Sequence, residues 1–206
     1  MRIAGVELTK MKLNMVESLK NIFPGVNAAI LTDILSLAAE RGRIYYDEIE
    51  MREDLKEDLL LQLEKERILI LFETSKTMAW EDRVLAFKSG ELYEMPHVIR
   101  YLIRNAKETG EWNPSYAVKM CLEEIGEAEP EKITTLFEKI IEKIEKNIVT
   151  PEILLKTAGE LDLKPKMGLI IAEFKNGGII SPCLRRPSNL RYEINPSLMK
   201  GKYLCA

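Results

Sequence analysis

Apolar side chains recur at helical spacing in two long segments, which predicts two amphipathic helices. The first spans residues 28–41, with Asn27 placed to cap it and Gly42 to end it. Its apolar positions are Ile30, Leu31, Ile34, Leu35 and Ala38. The second begins at Pro130 and carries Lys and Glu on its opposite face. Its apolar positions are Ile133, Leu136, Phe137, Ile140, Ile141 and Ile144.

Between these segments the pattern alternates between strand and helix. Residues 43–46 predict a short strand, and residues 47–67 are helical by composition with a break near 52–55. The leucines expected to face a core are Leu59, Leu60 and Leu63. An apolar run at 68–73 and a second strand at 79–87 are then predicted to form a hairpin, since a polar turn separates them.

Proline and glycine divide the stretch from residue 93 to residue 126, where one or two connecting helices are expected. The dividing residues are Pro96, Gly110 and Pro114. After Thr150, a predicted cap with Pro151 in the first turn, comes a short helix that ends in a tight turn at 162–164. Its inward positions are expected to be Leu154, Leu155 and Ala158.

Pro165 is placed to start the next helix, which Gly177-Gly178 ends. The core positions of this helix are predicted to be Met167, Ile171 and Phe174. A strand then begins at Ile179, residues 185–189 form a turn, and a return strand ends at Pro196. In the return strand the apolar, alternating positions are Leu190, Tyr192 and Ile194.

Residues 150–196 resemble a winged helix-turn-helix domain, of the kind found in the multiple-antibiotic-resistance and arsenical-repressor types of regulator. The positions that match its first helix and turn are Leu155, Ala158, Leu161 and Leu163. Lys164-Pro165 stands where such domains begin the recognition helix, and Gly178-Ile179-Ile180 matches the exit into the wing. Residues 192–196 match the returning strand of the wing.

A fainter copy of the pattern covers residues 28–87. A shift of 111 positions aligns Leu60, Leu63 and residues 67–69 with Ile171, Phe174 and residues 178–180. At one of these positions Arg67 replaces the expected glycine. The predicted fold class is therefore mainly α with small β-hairpin wings (α+β), as tandem winged-helix domains joined by helices. The predicted divisions are an N-terminal arm at 1–26, a first domain at 27–92, a helical connector at 93–129 and a second domain at 130–206.

Composition narrows the function classes. The chain has 206 residues, a net charge of -3, 46% hydrophobic and 31% charged residues, which is typical of a folded protein and argues against a generally cationic coat. No apolar run approaches the length of a membrane span, and Arg2, Glu7 and Lys10 interrupt any leader, so we expect a cytoplasmic protein. The bias toward Glu and Lys with a single Gln favours a thermophilic, archaeal source.

No pattern predicts an enzyme, a cofactor or a metal site. His97 is the only histidine, and Cys121, Cys183 and Cys205 lack the spacing of a disulfide framework or a metal site. Trp80 and Trp112 lie among apolar neighbours and are expected to be core or interface residues. Gly177-Gly178 follows a helix and precedes a strand, which is the reverse of a phosphate-binding turn.

Charge locates the candidate site near the C-terminus. From residue 151 onward there are nine basic and five acidic residues, whereas residues 47–67 contain nine acidic and four basic ones. In the recognition helix of the C-terminal copy, the residues expected to be exposed are Lys164, Lys166, Gly168, Leu169, Ala172 and Lys175. The lysines suit phosphate contacts, but the other three offer no hydrogen bonds to base edges.

The predicted nucleic-acid-binding residues are Lys164, Lys166, Lys175, Arg185, Arg186 and Arg191, of which the arginines form a basic wing. The alternative for this wing is a solvated hairpin tip that keeps an edge soluble. The acidic helix of the first copy would be repelled by phosphates, so it is either a surface for a protein partner or a solvated helix face.

Two functions remain open. The first is a transcriptional regulator that binds double-stranded DNA as a homodimer, with dimerisation assigned to the apolar face of 133–144 and to residues 8–23. The second is a nonenzymatic protein-interaction adaptor built from tandem winged helices, favoured by the acidic pI and by Leu169 and Ala172. An RNA-handling factor would share the same basic wing. Fold alone does not separate these functions.

Overall fold

The computed structural model describes residues 2–72, 79–83, 86–184 and 190–200, with the side chains of these ranges from residue 10 onward except that of Asp82. Within them the fold is mainly α-helical with two small three-stranded antiparallel sheets, which confirms the predicted fold class. None of the described helices is long and apolar enough to cross a bilayer.

The elements have the following bounds. The helices are α1 Arg2–Ile22, α2 Ala28–Arg41, α3 Glu53–Lys65, α4 His97–Thr109, α5 Pro114–Glu124, α6 Pro130–Lys143, α7 Pro151–Gly159 and α8 Met167–Asn176. The strands are β1 Arg43–Tyr45, β2 Ile70–Leu71, β3 Leu92–Glu94, β4 Ile148–Val149, β5 Ile180–Pro182 and β6 Tyr192–Ile194. Short 3-10 helices lie at Tyr46–Glu48, Trp80–Asp82, Lys164–Lys166 and Pro196–Leu198.

One order of elements occurs twice. Repeat 1 consists of α2, β1, α3, β2 and β3, and repeat 2 consists of α6, β4, α7, α8, β5 and β6. In each sheet the last strand lies between the other two, in the orders β1-β3-β2 and β4-β6-β5. The 3-10 helix Tyr46–Glu48 stands in repeat 1 where repeat 2 has α7. The chain therefore contains an internal structural repeat.

The first helices of the two repeats bury the same positions. A shift of 102 residues places α2 on α6, and all seven buried residues of one helix then coincide with those of the other. The coinciding pairs are Ala28 and Pro130, Leu31 and Ile133, Thr32 and Thr134, Ile34 and Leu136, Leu35 and Phe137, Ala38 and Ile140, Ala39 and Ile141. Both threonine hydroxyls donate to the carbonyl four residues earlier, at 2.7 and 2.8 Å.

The ends of α3 and α8 also correspond, at the shift of 111 residues seen in the sequence. Arg67 has φ +52° and Gly178 has φ +71°, so both stand in the left-handed region. The next residue in each repeat closes the helix in the same way: Ile68 N–H donates to Leu63 O at 2.9 Å, and Ile179 N–H to Phe174 O at 2.8 Å. Arginine thus adopts the conformation that glycine adopts freely.

Helices α4 and α5 lie between the repeats in the sequence and contribute to the shared core. Helix α4 packs against α1, α2 and α5, and α5 packs against α6. The first turn of α4 is also bonded to the end of α8, since Val98 N–H donates to Gly177 O at 2.9 Å. Both repeats belong to one continuous cluster of buried apolar residues.

Several predicted positions are wrong by a turn or by a face. The return strand expected at 79–87 is β3, Leu92–Glu94, because Trp80–Asp82 forms a 3-10 helix instead. In α8 the residue buried between Met167 and Phe174 is Ile170 rather than Ile171. Either residue divides the interval into one step of three and one step of four, so helical spacing alone does not distinguish them.

Other expected core residues are exposed. Leu155 is predicted to face inward, Ile30 to lie on the apolar face of the first helix and Leu190 to be an apolar position of the return strand. All three have substantially exposed side chains. The two-residue strand β4 had no sequence signal of its own because it is too short to show alternation. The apolar face of α6 is buried within the chain, so the dimer interface assigned to it is wrong.

Candidate functional site

Helix α8 is held by the helix-turn that precedes it. The hydroxyl of Thr150 caps α7, and the turn after α7 passes through Asp162 at φ +54°. Leu163 N–H then donates to Ala158 O at 2.8 Å, which closes the turn. Met167, Ile170 and Phe174 anchor α8 from its inner side. This leaves the opposite side of the helix facing solvent.

We call that opposite side the α8 face, made of Lys164, Gly168, Leu169, Ala172 and Lys175. Its residues are exposed except Lys175, which is half-buried, and Leu169 has 56% of its surface exposed. At about 100° per residue these positions fall within an arc of roughly 140°, which keeps them on one side of the helix. The predicted exposure of this surface is therefore confirmed for all but its last lysine.

Lys166, predicted to contact phosphate, is engaged by acidic neighbours. Its ammonium pairs with the carboxylate of Glu129, the residue before α6. That hydrogen bond raises the pKa of Lys166 and lowers the pKa of Glu129. Glu173 lies nearby, and burial together with the carboxyl of Glu127 raises its pKa to about 7. Acidic groups therefore surround this lysine.

The other predicted basic residues are placed differently. Within the described part of the chain, Lys164 and Lys175 form no ion pair with a carboxylate. Arg191 is half-buried just before β6, and its carbonyl accepts a hydrogen bond from Cys183 N–H at 2.9 Å. Arg185 and Arg186 lie outside the described residues. Lys164 and Lys166 both lie exposed in the short 3-10 helix that precedes α8.

Repeat 1 carries an outward helix surface of opposite charge. We call it the α3 face, made of Asp54, Leu55, Glu57, Asp58 and Leu61, all of which are exposed. Leu55 and Leu61 have 47% and 50% of their surfaces exposed. The predicted core leucines of α3 are confirmed as buried, and they are Leu59, Leu60 and Leu63.

Sequence reasoning did not single out the exposed leucine at position 61. It lies in a run of leucines, so composition alone hides it among core residues. Once Leu60 and Leu63 are assigned to the core, a helical wheel places Leu61 about 100° from Leu60, on the solvent side. This geometric argument was the available signal.

The ends of α3 and α8 are tied together inside the molecule. The side-chain amide of Asn195 donates to Arg67 O at 3.0 Å and to Gly178 O at 3.3 Å, which are equivalent carbonyls of the two repeats. Ser197 Oγ donates to Glu66 O at 2.8 Å. The Arg67 side chain lies 3.4 Å from a Glu193 carboxylate oxygen. These contacts fix the relative position of the two outward faces.

An open groove of about 520 Å³ lies elsewhere, where the α4–α5 loop meets α6. Trp112 and Phe137 form part of its buried floor, and its rim carries Glu111, Glu138 and Glu142. Carboxylates around the rim oppose an anionic ligand such as a phosphate. Both tryptophans are buried, as predicted.

Titratable side chains that often carry chemistry are engaged in packing. His97, at the start of α4, has its Nε2 atom 3.1 Å from a carboxylate oxygen of Glu124 at the end of α5. Cys121 is buried, which raises the pKa of its thiol to about 12. Cys183 is half-buried, and Cys205 lies outside the described residues. Among the described side chains, no group of three or more His, Cys, Asp or Glu has the arrangement of a metal site.

A protein-family model matches residues 14–202. The chain belongs to this family. The matched range includes both repeats and the helices between them. The family has no established function. No curated protein and no solved structure matches the chain. The resemblance to winged helix-turn-helix domains stays a prediction.

Proposed function

We propose that the protein is a nonenzymatic interaction module that docks a protein partner on the α8 face. The observation that carries this proposal is the exposed apolar centre of that face, formed by Gly168, Leu169 and Ala172. Fully burying a leucine side chain contributes about 1.5–3 kcal/mol, and Leu169 has 56% of its surface left for a partner to cover.

The same face is poorly suited to reading DNA sequence. Base edges in the major groove are recognised through side-chain hydrogen bonds, and Gly168, Leu169 and Ala172 supply none. Lys166 is paired with Glu129, so one of the lysines predicted to contact phosphate is already engaged by a carboxylate. These features favour the adaptor over the regulator.

Duplex DNA binding with a role in transcription remains a second candidate function. It is favoured by Lys164 and Lys175, which have no carboxylate partner among the described side chains. Under this alternative they would contact phosphates, with Arg185, Arg186 and Arg191 as wing contacts. Such binding would be mainly electrostatic and weakly specific.

Site-specific photo-crosslinking in cells of the source organism tests the proposal. A photoreactive residue in place of Leu169 is expected to trap a discrete protein, because that position lies in the centre of the docking surface. The matched control is the same residue in place of Leu13, which is 63% exposed on α1. No specific product at position 169, or the same products at both positions, would reject the proposal.

A titration with duplex DNA distinguishes the second candidate function from the first. We expect no salt-sensitive binding of a labelled duplex at about 50 mM salt, and no difference for Lys164→Ala/Lys175→Ala. If DNA is the true partner, the double variant instead weakens binding and lowers the salt slope by about two, roughly one for each phosphate contact.

A further inference from the structure

We propose that the partner of the α8 face is the α3 face of a second copy of this chain. This inference rests on the proposed function and names the occupant of the docking surface. It follows from the opposite charges of the two faces and from the exposed leucines that each presents.

The apolar parts of the two faces are complementary in size. Gly168 and Ala172 stand one turn apart on α8 and leave a shallow track, since a Cβ added at Gly168 would meet nothing within 4 Å. Leu61 and Leu55 project from the α3 face. Large side chains of one helix pack into spaces left by small residues of another. Leu169 then packs beside the helix that occupies the track.

The charged parts are complementary as well. Glu57 and Asp58 form no ion pair with a described cation, and Lys164 and Lys175 form none with a described carboxylate. Acidic groups therefore stand among the leucines of one face, and basic groups stand at the two ends of the other. Opposite potentials of this kind select a partner and set its orientation.

Both faces are exposed within one molecule, so neither covers the other. The bridge from Asn195 to Arg67 O and Gly178 O holds the ends of α3 and α8 together and fixes where the faces point. The pairing must therefore occur between copies. A twofold arrangement would satisfy both faces of both molecules in a closed dimer, whereas other rotations would give either a larger closed ring or an open chain.

Sedimentation of charge-reversed variants tests the inference. One variant is Glu57→Lys/Asp58→Lys, and the other is Lys164→Glu/Lys175→Glu. Each alone brings like charges together and is expected to weaken self-association about tenfold or more. An equimolar mixture pairs each reversed face with a complementary one, so association at the wild-type level is expected to return.

The control is Glu108→Lys/Glu111→Lys, which makes the same charge change at exposed positions on neither face and should leave association unchanged. Thermal unfolding of every variant checks that its fold is retained. Leu169→Glu is a second way to disrupt the contact, because it places a charge at the apolar centre of the α8 face. A mixture that stays dissociated, or a wild type that sediments as a monomer at all concentrations and low salt, overturns the inference. In that event a specific cross-link from position 169 to another protein would still support the proposed function.

Discussion

Repeat 1 and repeat 2 share most of their buried positions and differ in the residues that they expose. Helices α2 and α6 bury seven equivalent positions, and α3 and α8 end in the same left-handed turn. Yet Glu57, Asp58 and Leu61 of α3 correspond to Gly168, Leu169 and Ala172 of α8. The comparison shows that equivalent positions are kept where side chains pack in the core, while the outward faces carry different side chains.

The largest expected effect is loss of a buried residue common to both repeats. Leu31→Ala and Ile133→Ala should each lower the free energy of unfolding by about 2–5 kcal/mol, because both side chains are fully buried at equivalent positions. Ile30→Ala, at an exposed neighbour, should cost less than about 1 kcal/mol. Urea denaturation measures all three. A large cost in one repeat with almost none in the other would break the comparison.

The left-handed turn gives a somewhat smaller effect. Gly178→Ala should lower the free energy of unfolding by about 2–4 kcal/mol, because φ is +71° and the new Cβ would overlap Pro96. Gly168→Ala in the same helix has open space and ordinary φ, so it should raise that free energy by roughly 0.5–1 kcal/mol. Denaturation curves that order the two variants the other way would disprove this account of the turn.

The smallest effect concerns pH. Glu173 corresponds to Gln62 of repeat 1, and its pKa is raised from 4.5 to about 7 by burial and by Glu127, with Lys166 opposing the shift. The folded state therefore holds a proton that the unfolded chain releases between about pH 4.5 and 7, so stability falls as pH rises through that range.

Over this pH range the free energy of unfolding is expected to fall by roughly 1 kcal/mol, after allowance for solvent screening. Glu173→Gln, which gives repeat 2 the side chain of repeat 1, should remove it, whereas Glu108→Gln at an exposed site should not. Thermal unfolding between pH 5 and pH 8 measures the difference. Equal pH dependence in wild type and Glu173→Gln would show that another group is responsible.

Sequence patterns predict most of the fold because buried faces and turn residues leave local signals. Asn27, Gly42, Thr150 and Pro151 mark helix ends as predicted. The shift of 111 residues between α3 and α8 also holds in the structure, including the turn at Arg67. These features depend on neighbours within one turn of the chain, so a single sequence suffices to find them.

The parts that sequence could not predict depend on distant contacts. Asn195 joins the two repeats across more than a hundred residues, and no local pattern indicates such a partner. The pairing of Lys166 with Glu129 likewise depends on how α6 packs near α8. Leu155 fits an apolar pattern, but only the packing of neighbouring helices decides that its side chain remains exposed.

The most direct test is sedimentation equilibrium of the wild-type protein and Leu169→Glu in matched low and high salt. The account predicts reversible, concentration-dependent association of the wild type that weakens with salt and is lost in the variant, because the contact combines a buried leucine with opposite charges. Wild-type and variant proteins that remain monomeric under all conditions, together with salt-sensitive duplex binding through Lys164 and Lys175, would contradict it.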